Sequence, residues 1–356
     1  MGPGKGGTAN ALIGFDTPAC TVDVRMRIGL SQALSLDWKC AHFGPVSLSC
    51  REKAFYFRFN REILTLCRSM PNSVQTRALL FLMEYLETGV CKDPDFFAQY
   101  HPPAWSILYW LTRKDIHHGN LSDHHVRTAV TAHTMAMLLH LLDDHMNDGE
   151  LPASHLLLVI RSQAWVIMQS ALKRLSSNIP SGTERVQAFL NEYYRSICSP
   201  ERVPDVHRYC VLFRSQMATW TMVPCLLASM IRPKTDFADA VRKAYESFGI
   251  AWRLLDDIQD AEKDMEKGAR TSVYLSLPEE LKRCWDELGT SSGKTRARLE
   301  RILFKHIAEG ELIDGLKSRV CEELEMAASI TDSKGMRGLS EEFTSLALPL
   351  GSESRR

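Results

Sequence analysis

From about residue 52 to residue 330, apolar positions return every three to four residues, the spacing of one helix face. Few segments show the strict alternation and β-branched enrichment of a strand. The pattern predicts an all-α chain with helices over 52–70, 74–89, 102–113, 122–147, 152–175, 183–197, 205–231, 236–267, 278–288, 294–308 and 311–329. Start signals support several of these. Ser122 and Asp123 precede one, Pro152 falls in a first turn, and Asp205 and Asp236 stand where a side chain can accept free backbone N–H groups. Pro224 lies inside 205–231, where its missing N–H and its ring predict a kink or break. No unit of about 20–50 residues repeats, which argues against a solenoid and for one globular bundle of about ten to twelve helices.

The same pattern divides the chain into a partly irregular extension at 1–50, one helical domain at 51–335 and a C-terminal tail at 336–356. The first stretch opens Met1-Gly-Pro-Gly-Lys-Gly-Gly and the last closes Gly351-Ser-Glu-Ser-Arg-Arg. No Pro/Gly/Ser-rich linker or block of like charge interrupts the middle, and a chain of 356 residues with 45% hydrophobic composition can bury one large core.

Charge removes two classes of partner. Forty-three basic residues balance forty-three acidic ones, so no global field recruits nucleic acid or an anionic membrane surface. The ten cysteines form no C-x-x-C pair and follow no secretory signal, the usage of reduced thiols in the cytoplasm. Met217 to Ile231 is apolar and free of charge, but shorter than the roughly 20 residues of a membrane-spanning helix, and reads as a core helix.

The candidate chemistry lies in two aspartate clusters. Asp143-Asp144-His145-Met146-Asn147-Asp148 ends an apolar helical run that starts near Ala132. Asp144 and Asp148 fall on neighbouring turns of one face, with Asp143 and Asn147 in the adjacent row. In Asp256-Asp257-Ile258-Gln259-Asp260, residues Asp256, Asp260 and the later Asp264 share a face, and Phe248, Ala251, Trp252 and Leu255 lead up to it. A single acidic helix face is commonly just solvated. Two such clusters, each continuing an apolar stripe, point to a shared cavity. Carboxylates so close repel unless a cation binds, and all-oxygen ligation with room for water and phosphate suits Mg²⁺.

The pair of clusters resembles the two aspartate-rich motifs of the class I all-α isoprenoid synthases, the superfamily of trans-prenyltransferases and ionisation-initiated terpene synthases. The likeness covers about residues 100–275. It implies a bundle around a central active-site cavity, with clusters facing each other across it and Asp143, Asp144, Asp148, Asp256, Asp257 and Asp260 holding three Mg²⁺ ions on a substrate diphosphate. It also implies that Arg214 resembles a basic diphosphate-binding residue before the second motif, with Gln216 and Thr219 adding hydrogen bonds. Lys267 and Arg270 fall near another such position. Asp143, Asp144, Asp256, Asp257 and Arg214 are thus the expected catalytic residues. Phe213, Trp220, Phe248 and Trp252, together with Trp105, Tyr109, Trp110 and Trp165, are candidates for aromatic faces that steady a carbocation.

Chain-elongating members usually carry Arg-Arg-Gly after the first motif and an upstream Gly-Gly-Lys-x-Arg for isopentenyl diphosphate. This chain has Gly149-Glu-Leu-Pro-Ala-Ser-His155 instead, and lacks the upstream motif. The expectation is therefore a terpene synthase acting on one linear prenyl diphosphate. A prenyltransferase with an altered second-substrate site is the alternative, and a regulatory partner of a prenyltransferase the non-enzymatic one. A homodimer is compatible with all three. Arg113, Lys114, His117, His118, His124 and His125, before the first-motif helix, could instead hold a second diphosphate. The His-Asp order of HD-type phosphohydrolases and the Glu-x-x-His of di-iron bundles are absent.

Overall fold

The computed structural model describes residues 41–88, 94–198, 203–233, 235–309 and 311–351. Within them the chain forms sixteen helices and no strand. They are α1 Cys50–Arg68, α2 Asn72–Tyr85, α3 Pro103–Leu111, α4 Lys114–His117, α5 Asp123–Asn147, α6 His155–Ser176, α7 Gly182–Cys198, α8 Val206–Gln216, α9 Ala218–Ile231, α10 Phe237–Gln259, α11 Ala261–Lys267, α12 Ser272–Ser276, α13 Glu279–Leu288, α14 Gly293–Glu309, α15 Leu312–Ser333 and α16 Arg337–Gly351. The all-α prediction holds, with more helices than foreseen.

Two long periodic segments are each divided. Segment 205–231 is interrupted at Met217, not at Pro224, which lies inside the continuous α9. Met217 adopts φ −74°, ψ 0°, and its carbonyl accepts the Trp220 N–H at 2.9 Å, a tight turn that keeps the backbone paired. Its side chain lies on Gly249 of α10, where an added Cβ would fall 1.7 Å from the sulfur. Segment 236–267 is likewise divided at Asp260. The stretch expected as a tail contains α16, whose Leu339, Phe343, Leu346 and Leu350 are buried.

α9 is the centre of the bundle. Every one of its residues except Met230 is buried, as an all-round apolar helix requires, and α5, α7 and α10 pack around it. α15 lies along α10 on the far side, α16 covers α15, and α6 covers α5. No helix among the described residues is long and apolar enough to cross a membrane.

Where α3 meets α16, Glu342 is buried and accepts hydrogen bonds from Ser106 Oγ and Trp110 Nε1. Burial, reinforced by the neighbouring Glu52 and opposed by these two donors, pushes its carboxyl from 4.5 up to about 8. The folded state thus keeps a proton that the unfolded chain releases near pH 4.5. The penalty is absent below that pH and grows as pH rises towards 8, at about 1.4 kcal/mol per unit. Glu342→Gln, a neutral isostere, is expected to flatten the fall in melting temperature between pH 5 and 8. Parallel falls in variant and wild type would contradict this origin.

Candidate functional site

α5 and α10 meet at one polar point. The Ala104 carbonyl accepts the Tyr245 hydroxyl at 2.6 Å and pairs with His133 Nε2 at 2.8 Å. About three turns further along each helix stand Asp144 and Asp256. Between these levels lies an aromatic group. Trp220 of α9 meets His140, Tyr100 and Trp252 at 4.9, 5.8 and 5.8 Å, and Trp252 meets Tyr100, His101 and Phe248 at 5.5, 5.2 and 5.8 Å. Three of the expected aromatics, Trp220, Phe248 and Trp252, therefore form one group beneath the carboxylates. Phe213 stands apart, with its ring 5.9 Å from the Arg253 guanidinium. Burial holds His101 down to about 4 and lowers His140 against the pull of Asp144 and Asp143, so the floor is uncharged at neutral pH.

The six expected ligands divide into two kinds. Asp143 is buried and spent on the protein. Arg161 Nη2 donates to it at 2.8 Å, and Tyr193 Oη at 3.0 Å. Asp257 is 1% exposed, and its Oδ1 accepts the Tyr209 hydroxyl at 3.1 Å and lies 3.1 Å from Arg253 Nε. Its Oδ2 accepts the Ser272 N–H at 3.0 Å. Asp144, Asp148 and Asp256 instead reach solvent, and Asp260, half-buried at the α10–α11 joint, accepts a hydrogen bond from Lys263 Nζ at 3.3 Å.

These open carboxylates act on one another. Crowding by the surrounding protein, with Asp257, Asp260 and Asp144 adding to it and Arg253 opposing, pushes Asp256 up to about 6. Desolvation and the charge of Asp144 also raise Asp148. Asp264, on the same face as Asp256, is pushed up to about 7, chiefly by burial and then by Asp257. The charge of Asp144 acts on Asp256, so the ends of the two motif-bearing helices lie within electrostatic reach of one another. Among the described residues no three His, Cys, Asp or Glu side chains close into a ready-made metal cage. An open set of mutually repelling oxygens suits an ion held by few protein ligands together with water and phosphate.

The expected cations are placed less uniformly. Lys267 lies at the mouth but is paired with Glu150 at 2.6 Å, and Lys263 pairs with the same carboxylate at 3.1 Å. Glu150 thus ties the segment after the first cluster to the helix after the second. Arg214 faces the buried Glu323 of α15 at 3.6 Å, and Arg270 pairs with Asp286 at 3.0 Å, so neither is directed to the clusters. Gln216 closes α8, half-buried, and Thr219 is buried with its hydroxyl unpartnered.

The histidine-rich stretch is structural. His117 Nδ1 accepts the Gly119 N–H, His118 takes a left-handed turn, and His125 completes the α5 capping box with Ser122. These residues stand at the opposite end of α5, about 30 Å from Asp144 by helical rise. Arg113 pairs with Asp115. Arg253 belongs to no motif in the sequence, yet its charge acts on Asp148 of the first cluster and Asp256 of the second, and only its place one turn before Asp257 could have pointed to it.

No family model matches the sequence, and no curated protein matches it. Solved structures do. A polyprenyl synthase from Caulobacter crescentus CB15, complexed with calcium and isoprenyl diphosphate, aligns over 88% of this chain and 98% of its own, at 14% identity and a TM-score of 0.61. A geranylgeranyl pyrophosphate synthase from Corynebacterium glutamicum gives 15% identity, 88% and 98% coverage and 0.61. A heptaprenyl diphosphate synthase from Staphylococcus aureus gives 11%, 85%, 98% and 0.61. The chain has the all-α isoprenoid synthase fold, shared over nearly the whole length of these polyprenyl and geranylgeranyl synthases.

Proposed function

We propose that this chain is a divalent-metal-dependent enzyme that breaks the allylic C–O bond of a prenyl diphosphate and passes the allyl group to isopentenyl diphosphate. The observation that carries the proposal is the pair of carboxylate sets, Asp144 with Asp148 and Asp256 with Asp260, at the ends of two apolar helices and within electrostatic reach of one another, in the fold of polyprenyl synthases. The donor set fits Mg²⁺, held by these four side chains, and three ions would neutralise the charge that gathers on the departing diphosphate. Asp144 and Asp256 orient the diphosphate end at the mouth. Trp220 and Trp252 present π faces to the allylic cation, and the neutral His101 and His140 add no opposing charge.

The fold likeness moves the preference from a cyclase to a transferase. One observation favours the second reading, ionisation followed by cyclisation or quenching. Where elongating enzymes carry Arg-Arg-Gly, this chain has Gly149 and Glu150, and the Glu150 carboxylate neutralises Lys263 and Lys267 instead of leaving cations for a second diphosphate. Incubation with C10, C15 or C20 allylic diphosphates, with and without isopentenyl diphosphate, separates the two. A product five carbons longer, formed only when both substrates are present, is expected. Diphosphate released from the allylic substrate alone, unaffected by isopentenyl diphosphate, assigns the chain to the second reading. Release in neither case rejects both.

A further inference from the structure

We infer that Arg253 is the side chain that grips the substrate's diphosphate, and that Asp257 anchors Arg253 instead of ligating metal. The inference rests on the proposed prenyl diphosphate chemistry and assigns roles within that site.

Arg253 lies on α10, one turn before Asp257. Its Nε donates to the Tyr209 hydroxyl at 2.7 Å and lies 3.1 Å from Asp257 Oδ1, and the rings of Tyr209 and Phe213 stand 6.0 and 5.9 Å from its guanidinium carbon. One edge of the guanidinium is therefore pinned. The terminal nitrogens make no hydrogen bond to any described residue, although the side chain is only 26% exposed. Such donors, held in a planar fork, match two phosphate oxygens at once.

Position supports the same role. The positive charge of Arg253 opposes the rise of Asp148, Asp256 and Asp264, and Asp144 acts on it in turn, so it stands within the field of both clusters. Arg161 and Arg270 donate to Asp143 and Asp286, Lys267 donates to Glu150, and Arg214, with no hydrogen bond to a described residue, stands 3.6 Å from Glu323 of α15. Arg253 is paired with Asp257 through Nε alone, which leaves its two terminal nitrogens without a hydrogen bond to a described residue and within the field of both clusters.

Asp257 is unsuited to a metal for the complementary reason. Both oxygens are engaged, one by Tyr209 and Arg253 and the other by the Ser272 N–H, whereas Asp256 reaches solvent. As the C–O bond breaks, its electron pair passes to the leaving oxygen and negative charge gathers on the diphosphate. Arg253 donates two N–H groups to that charge, and no proton changes hands. Tyr209 and Asp257 are positioning residues.

The test is calorimetric titration of the full chain with inorganic diphosphate across a series of Mg²⁺ concentrations. Arg253→Gln is expected to weaken diphosphate binding about 10- to 100-fold, the loss of charge-assisted hydrogen bonds. Tyr209→Phe and Asp257→Asn should weaken it less, with no change in the Mg²⁺ concentration for half-maximal uptake. Asp256→Asn should raise that concentration. Wild-type affinity in Arg253→Gln, or a raised Mg²⁺ requirement in Asp257→Asn, overturns the inference and leaves the proposed function standing. A wild type that takes up no diphosphate at any Mg²⁺ concentration overturns both. If Asp257→Asn does not fold by circular dichroism, Tyr209→Phe decides, since it removes a hydrogen bond to Arg253 without touching a carboxylate; unchanged diphosphate affinity then counts against the anchor.

Discussion

Asp144→Ala is expected to slow diphosphate release from an allylic substrate by on the order of 10³-fold while leaving the fold intact. Asp144 is exposed, is not among the side chains that clamp the core, and raises both Asp148 and Asp256 through its charge. Its carboxylate therefore contributes repulsion to the folded protein, which a bound cation would turn into attraction. Removing it relieves the repulsion but takes one ligand from an already open set, and losing a group that stabilises leaving-group charge commonly costs about 10²–10³ in rate. The measurement pairs a diphosphate-release assay with thermal unfolding. Activity within tenfold of wild type would remove the first cluster from the chemistry. Asp143→Ala is the instructive contrast: it strips Arg161 and Tyr193 of their partner inside the protein, so its primary deficit should appear in the melt.

Gly338→Ala is expected to be among the most destabilising changes that add a single methyl group. The added Cβ would lie 1.9 Å from Cη2 and 2.3 Å from Cζ2 of Trp110, distances no packing tolerates. The indole cannot simply swing away, because its Nε1 donates to the buried Glu342. Overpacking of about 1–3 kcal/mol and a lost hydrogen bond to a buried group of about 1–3 kcal/mol suggest a total of roughly 3–5 kcal/mol. That corresponds to a fall in melting temperature of roughly 5–10 °C. Gly315→Ala in α15 supplies the control, since nothing lies within 4 Å of its added Cβ and helix propensity favours alanine. Equal melting temperatures for the two variants would show that α16 can shift to make room.

That each aspartate cluster ends a helix was legible because the carboxylates continue an apolar stripe on that helix, a pattern complete within one segment. The burial of α9 was legible for the same reason: Met217 to Ile231 carries no charge on any face. What could not be read depends on distant partners. The interruption at Met217 is matched by the absence of a side chain on Gly249, 32 residues away, and no local rule marks that position. Pro224, which does carry a local rule, is accommodated within a continuous helix. α16 was hidden differently. Leu339, Phe343, Leu346 and Leu350 keep helical spacing, but Gly335 and the polar ending made the stretch resemble a terminus.

Within the site, residue type showed which side chains could hold a metal but not which were free to do so. Asp143 and Asp144 are adjacent and chemically identical, yet only Asp143 meets Arg161 and Tyr193. Asp256 and Asp257 divide in the same way. Rotation by 100° between neighbours on a helix sends one carboxylate to the mouth and its neighbour into the protein. Arg214, whose type suits a diphosphate, stands 3.6 Å from the buried Glu323, a neighbour that lies 109 residues on and that its own segment does not reveal.

The bridge from Glu150 to Lys263 and Lys267 gives the mouth of the site an internal competitor. Both ammonium groups already have an anion, so a diphosphate that reaches them does not add a charge pair; it exchanges one anion for another. Glu150 would be released in that exchange, and its carboxyl, now held down to about 2 by the two lysines, would return towards the ordinary range. On the proposed function, product departure would be the reverse exchange. The same carboxylate that reduces the affinity of this rim for diphosphate would help to expel it once the carbon–oxygen bond is broken.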